Sequence, residues 1–165
     1  MAKGLAIALA ATALLSGTAF AEVQTREVEY EHEGAKLTGY LAWDDAAEGK
    51  RPGVLVVHEW WGLNDYVKSR ARDVAELGYV AFAPDMYGSG QVTEHGEEAS
   101  AWMEQITENV ARWQARAMRG LEVLREQSRV DPEQVAAIGY CFGGATVLQM
   151  AYAGADISGV VSFHG

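Results

Sequence analysis

The segment Gly139-Tyr140-Cys141-Phe142-Gly143-Gly144 holds the single cysteine of the chain, with a glycine two positions away on either side. Val135 to Gly139 is an apolar run of strand length, and Gly143 to Ala153, rich in small and apolar residues, reads as a helix. A nucleophile perched on a tight strand-to-helix turn has this G-x-nucleophile-x-G pattern. Such a turn strains the backbone at the nucleophile itself. Side chains two positions to either side would collide with neighbouring elements, which accounts for glycine at 139 and 143. The strand carries the sulfur to the edge of the sheet, and the helix start behind it favours negative charge there. The competing reading is a buried cysteine that packs as a small hydrophobe.

A second segment with chemical potential is His58-Glu59-Trp60-Trp61-Gly62-Leu63-Asn64, just past another apolar run, Gly53 to His58. In enzymes with such a turn, the loop after the neighbouring strand supplies one backbone N–H to a developing oxyanion. The other comes from the residue after the nucleophile, here Phe142. Loss of one such donor typically costs about 3 kcal/mol of transition-state stabilisation. Glu59 near a thiol could control its protonation; the alternative is a solvated loop carboxylate. His58 reads as a structural strand-end histidine, and Trp60 and Trp61 as packing of the loop onto the domain.

These segments need a frame. Arg26 to Trp43 reads as a hairpin turning at Glu33-Gly34. The continuous apolar run after Pro52 belongs to a strand covered on both faces, as in a parallel sheet. A helix follows, capped near Asn64 or Asp65, with Val67, the Arg70 stem, Ala71, Val74 and Leu77 on one face and Gly78 closing it. Tyr79 to Ala83 is the next buried strand, and Asp85 to Gly96 a loop. Trp102, Ile106, Val110, Trp113, Ala117, Leu121 and Leu124 step at helical spacing, as one helix or two consecutive ones. Asp131-Pro132 punctuates that stretch. Val135 to Gly139 and Ile157 to Phe163 are the remaining strands. Alternating strands and helices predict an α/β fold, a mostly parallel sheet with helices on both faces. The last strand ends near His164 with no covering crossover after it, so the fold reads as unfinished.

Composition bounds the rest. Lys3, the apolar run Leu5 to Leu15 and Ala19-Phe20-Ala21 read as a cleavable signal peptide over residues 1–21, too short to serve as a stable membrane anchor. The expected location is secreted or periplasmic. The 144 residues after it carry a net charge of −11, against −10 for the whole chain, which argues against nucleic acid as a partner. A single cysteine forms no internal disulfide. The thiol is therefore inert, paired with another molecule, or kept for chemistry.

Three blocks taken in order resemble the dienelactone hydrolase family: His58-Glu59-Trp60-Trp61-Gly62-Leu63-Asn64, Ala83-Pro84-Asp85-Met86-Tyr87-Gly88 and Gly139-Tyr140-Cys141-Phe142-Gly143-Gly144. The resemblance covers nearly all of residues 26–165. It implies an α/β-hydrolase fold and hydrolysis of a carboxylic ester or lactone by a Cys-His-Asp triad, with no metal and no organic cofactor. It assigns the nucleophile to Cys141 and the carboxylate that gates the resting thiol to Glu59. The oxyanion donors fall to the N–H groups of Trp60 and Phe142. The best-studied members carry an arginine shortly after the second block to bind a substrate carboxylate. Here Gly88-Ser89-Gly90-Gln91 follows Tyr87, so dienelactone itself is not the expected substrate.

The triad in this fold runs nucleophile, acid, histidine. Asp156 and His164 are the only Asp and His after Cys141. They flank the last strand, ahead of the positions where a triad acid and base belong, and read as a loop residue and a strand-end residue. A chain lacking about 70–80 C-terminal residues is the expectation, judged from the elements the fold still needs. The sequence thus supports a small-molecule ester or lactone hydrolase, inactive as this piece. The alternative is a non-catalytic relative that only binds a ligand or partner. A redox thiol is a third reading, weakened by the lack of a second cysteine to resolve a disulfide.

Overall fold

The computed structural model describes residues 22–46 and 48–165. The signal-peptide reading lies outside them. Ten elements follow in chain order: β1 (Val23–His32), β2 (Ala35–Asp44), β3 (Arg51–Val57), α1 (Asp65–Glu76), β4 (Val80–Ala83), α2 (Gly96–Thr107), α3 (Val110–Arg125), β5 (Val130–Tyr140), α4 (Phe142–Tyr152) and β6 (Gly159–Phe163). They form one six-stranded sheet in the order β1-β2-β4-β3-β5-β6. The hairpin β1–β2 is antiparallel and joins β4 antiparallel, while β4, β3, β5 and β6 run parallel. Its turn falls at Glu33-Gly34, where both residues take positive φ, 50° and 76°, matching the twist of the strands.

Strand alternation sorts the core into two layers. Val54 and Val56 of β3 face α1, packing with Val67, Ala71 and Ala75. Leu55 and Val57 face the opposite side with α3 and α4, among Trp113, Leu121, Leu124, Phe142 and Val147. Helices therefore cover both faces. Beyond β5 the cover runs out on the α1 side: β6 is an edge strand, and its Val161 and Phe163 are exposed.

Some boundaries differ from the sequence expectation. Asn64 caps α1 through its side chain, accepting from the Val67 N–H. Leu77, however, is exposed and Ala75 takes the buried place, because the helix ends at Glu76 and the inward face runs 67, 71, 75. The long amphipathic stretch is two helices, divided where the Asn109 side chain caps α3 by accepting from Arg112. Val110 is consequently exposed at the first position of α3. Asp131-Pro132 does not end an element but lies inside β5, tolerated by a register shift opposite Pro52 and Gly53.

Topology decides where a site can form. From β3 the chain crosses through α1 to β4 on one side. The connection from β4 through α2 and α3 then returns past β3 to place β5 on its other side. The chain leaving β3 turns toward one face and the chain leaving β5 toward the other. This opens a crevice at the carboxyl ends of adjacent parallel strands, the general place for ligands in open α/β sheets.

Candidate active site

Both sequence-predicted segments open onto that crevice. Val57 at the end of β3 pairs with Gly139 of β5, so the two strand ends are level. Glu59 and Trp60 follow from one and Cys141 and Phe142 from the other. Cys141 lies between β5 and α4 with φ 52° and ψ −115°. That is outside the left-handed well near ψ +30 to +60°, and a non-glycine residue reaches it only under strain. Cys141 is partly exposed, not fully buried. The Cys141 N–H donates to the Phe163 carbonyl at 2.9 Å, tying the turn to β6.

The two glycines are explained by contact distance. A Cβ on Gly139 would sit 2.0 Å from the Gly143 carbonyl oxygen, and one on Gly143 would sit 2.2 Å from the Val57 and 2.6 Å from the His58 carbonyl oxygen. Three backbone segments meet there. Their closeness sets the start of α4 directly against the end of β3.

Phe142 opens α4, so its N–H has no acceptor inside the helix. Among the described residues, the Trp60 N–H also donates to no other group. Phe142 is buried, its ring stacked on Trp113 and Tyr87 with centroids 5.8 and 5.6 Å away and the His58 ring at 5.9 Å. Trp113 anchors this stack by donating from Nε1 to Thr146 Oγ1 at 2.9 Å, and that hydroxyl donates to the Phe142 carbonyl at 2.8 Å. Glu59 and Trp60 are half-buried, and the Trp60 and Trp61 rings meet edge to face at 4.9 Å.

His58 is structural, as its strand-end position implied, and it is fully buried. Its Nε2 accepts the Met86 N–H at 3.2 Å, so Nδ1 carries the proton and donates to the Glu59 carbonyl at 2.5 Å. Burial holds its pKa below the ordinary histidine range, against the opposing pull of the Glu59 carbonyl bond and the Asp85 charge.

Two residues of the middle block do more than the sequence reading asked of them. Asp85, 1% exposed, accepts backbone N–H groups from Tyr87, Gly88, Gly90 and Thr38 at 3.0, 2.7, 3.2 and 3.3 Å. It therefore winds the 85–90 loop around itself. The signal for this was present, since an Asp followed by glycines is an Asx-turn pattern. Tyr87 donates its hydroxyl to the Trp60 carbonyl at 3.0 Å. Its phenol is pushed well above the ordinary range, first by burial and then by the charge of Cys141. Tyr87 thus ties the loop after β4 to the loop after β3.

The two later residues stay out of this arrangement. The Asp156 side chain is 98% exposed and pairs with Arg125 at 3.6 Å. His164 is exposed just past the end of β6, with φ 44°. Both hold the loop and strand-end places expected of them. Among the described residues, no group of three or more His, Cys, Asp or Glu is arranged to hold a metal ion, and no helix is long and apolar enough to cross a membrane.

A six-stranded, mostly parallel sheet with a strained strand-to-helix turn at its switch point is an α/β-hydrolase architecture. The chain belongs to the dienelactone hydrolase family, whose model matches residues 37–165. Protein usf of Aquifex pyrophilus is 34% identical over 145 residues, covering 84% of this chain and 60% of the relative. A protein of Aquifex aeolicus with the provisional name carboxymethylenebutenolidase is 34% identical over 128 residues, covering 75% of this chain and 54% of its own. A solved structure of a dienelactone hydrolase-like promiscuous phosphotriesterase from metagenomic libraries superposes with a TM-score of 0.84 at 42% identity, over 87% of this chain and 59% of that one. The chain thus spans 54–60% of the length of these relatives.

Proposed function

We propose that the protein hydrolyses a carboxylic ester or lactone through Cys141. The observation that carries this reading is the Cys141 backbone, held at φ 52° at the start of α4 and partly exposed. A fold tolerates such strain where it has a use for it. The thiolate attacks the carbonyl carbon, and the N–H groups of Trp60 and Phe142 receive the oxyanion. Collapse of the tetrahedral intermediate breaks the bond to the alkoxy oxygen, which takes the proton that the thiol gave to the triad histidine and leaves as the alcohol (or stays on the acyl chain as a hydroxyl, for a lactone). Water then cleaves the remaining thioester to the acid and the free thiol. Glu59 governs the proton on the resting thiol. The triad Asp and His belong, in this reading, to sequence that the relatives carry beyond the matched region, and the present chain alone is inactive. The substrate is a small neutral or weakly polar ester, and the N-terminal signal directs the protein to the periplasm or outside the cell.

A non-catalytic relative that only binds ligand is favoured by one observation, the placement of Asp156 and His164 away from a triad role. p-Nitrophenyl acetate turnover by the complete protein separates the two readings. Cys141→Ala is expected to lower kcat by about a thousandfold or more while the thermal melt is retained. Equal turnover by wild type and Cys141→Ala would overturn the hydrolase reading. Binding of ester without any turnover by the wild type would establish the alternative.

A further inference from the structure

The loop that carries Trp60 is backed by the loop that follows β4. His58 lies inside the protein between two loops, taking the Met86 N–H on Nε2 at 3.2 Å and giving its Nδ1 proton to the Glu59 carbonyl at 2.5 Å. One residue further along each loop, the Tyr87 hydroxyl donates to the Trp60 carbonyl at 3.0 Å. The path His58–Glu59–Trp60–Tyr87–Met86–His58 is therefore closed by two hydrogen bonds between the loops, and the His58–Glu59 bond braces it from within. The Tyr87 ring packs on His58 and Phe142, with centroids 5.1 and 5.6 Å away. The loops are tied again by the Thr93 N–H on the Trp61 carbonyl at 3.1 Å and by the Gly62–Val92 bridge.

A peptide plane is rigid, so holding its carbonyl oxygen and the carbonyl oxygen of the peptide after it sets the direction of the N–H between them. The Glu59 carbonyl and the Trp60 N–H belong to the same peptide. His58 grips that peptide by its oxygen, and Tyr87 grips the next one. Resting on the proposed hydrolase reading, we propose that His58 and Tyr87 are positioning residues that aim the Trp60 N–H at the oxyanion. Neither touches substrate. Both act through the orientation of one donor, which contributes to the transition state and not to ground-state binding.

The test uses the complete protein with p-nitrophenyl acetate. Tyr87→Phe removes one hydroxyl and keeps the ring packing. It is expected to lower kcat about tenfold with KM within about twofold, a fraction of the effect of deleting an oxyanion donor outright. His58→Gln retains an acceptor for Met86, His58→Asn a donor for Glu59, and His58→Ala neither. The expected order of kcat is wild type, then Asn, then Gln, then Ala, because Asn preserves the bond to the peptide that carries the Trp60 N–H. Alkylation of Cys141 by iodoacetamide needs no oxyanion hole, so its rate is expected to hold within about twofold in Tyr87→Phe. An unchanged kcat in Tyr87→Phe overturns the proposal, as does a parallel fall in kcat and alkylation rate, which would mark general disruption of the turn. Persisting turnover in Cys141→Ala would instead overturn the hydrolase reading itself.

Discussion

Replacing Cys141 by glycine, with alanine as the reference, separates the backbone of the turn from its thiol. Both variants lose the sulfur, so they differ only in Cβ. At φ 52° and ψ −115° any residue with a Cβ carries strain of about 1–3 kcal/mol. Glycine carries none, but it adds about 0.5–1 kcal/mol of conformational entropy to the unfolded chain. The difference leaves Cys141→Gly more stable than Cys141→Ala by about 1 kcal/mol, within a range of about 0–2.5 kcal/mol. At about 2–4 °C per kcal/mol for a domain of this size, the melting temperature rises by a few degrees. Differential scanning calorimetry of the complete protein measures it, with hydrolysis absent from both variants. A glycine variant that melts at or below the alanine variant refutes the argument that the turn stores strain at residue 141.

Gly143→Ala is expected to act in the opposite sense. Its Cβ would press on two backbone oxygens at 2.2 and 2.6 Å, forcing α4 off the end of β3 at a cost of about 3 kcal/mol or more. That corresponds to roughly 6–12 °C in melting temperature, and a loss under about 2 °C would contradict the contact geometry. Acid sensitivity follows from His58 and His32, both held below the ordinary histidine pKa mainly by burial, with Arg116 adding to the effect on His32. Below about pH 6.5 the unfolded chain binds protons that these folded histidines refuse. Stability is therefore expected to be level above that pH and to fall as pH drops from 6.5 toward 5. His58→Gln should flatten the slope, and a melting temperature that is flat or rising over that interval in the wild type would overturn the assignment.

Local pattern was enough for most of the fold. Continuous apolar runs announced the parallel strands, the Glu33-Gly34 pair its hairpin, and Asn64 the start of α1, because each is a preference of a short stretch of backbone. The elbow at Cys141 was legible for the same reason, since glycines two positions to either side record a steric demand in residue type. Errors arose where a face or an end depends on neighbours. The buried stripe of α1 passes through Ala75 and not Leu77, and β5 runs through Asp131-Pro132 because β3 accommodates the bulge.

The hydrogen-bonded backing of the Trp60 loop lay beyond such reasoning. His58, Asp85 and Tyr87 stood in recognised blocks, yet nothing in their order shows that Tyr87 reaches Trp60 or that His58 joins Glu59 to Met86. Those contacts exist because β4 lies beside β3 and parallel to it, so that the loops leaving their carboxyl ends meet although nearly thirty residues separate them. Residue type dictates what a short segment prefers. Strand order, a property of the whole sheet, dictates which segments meet.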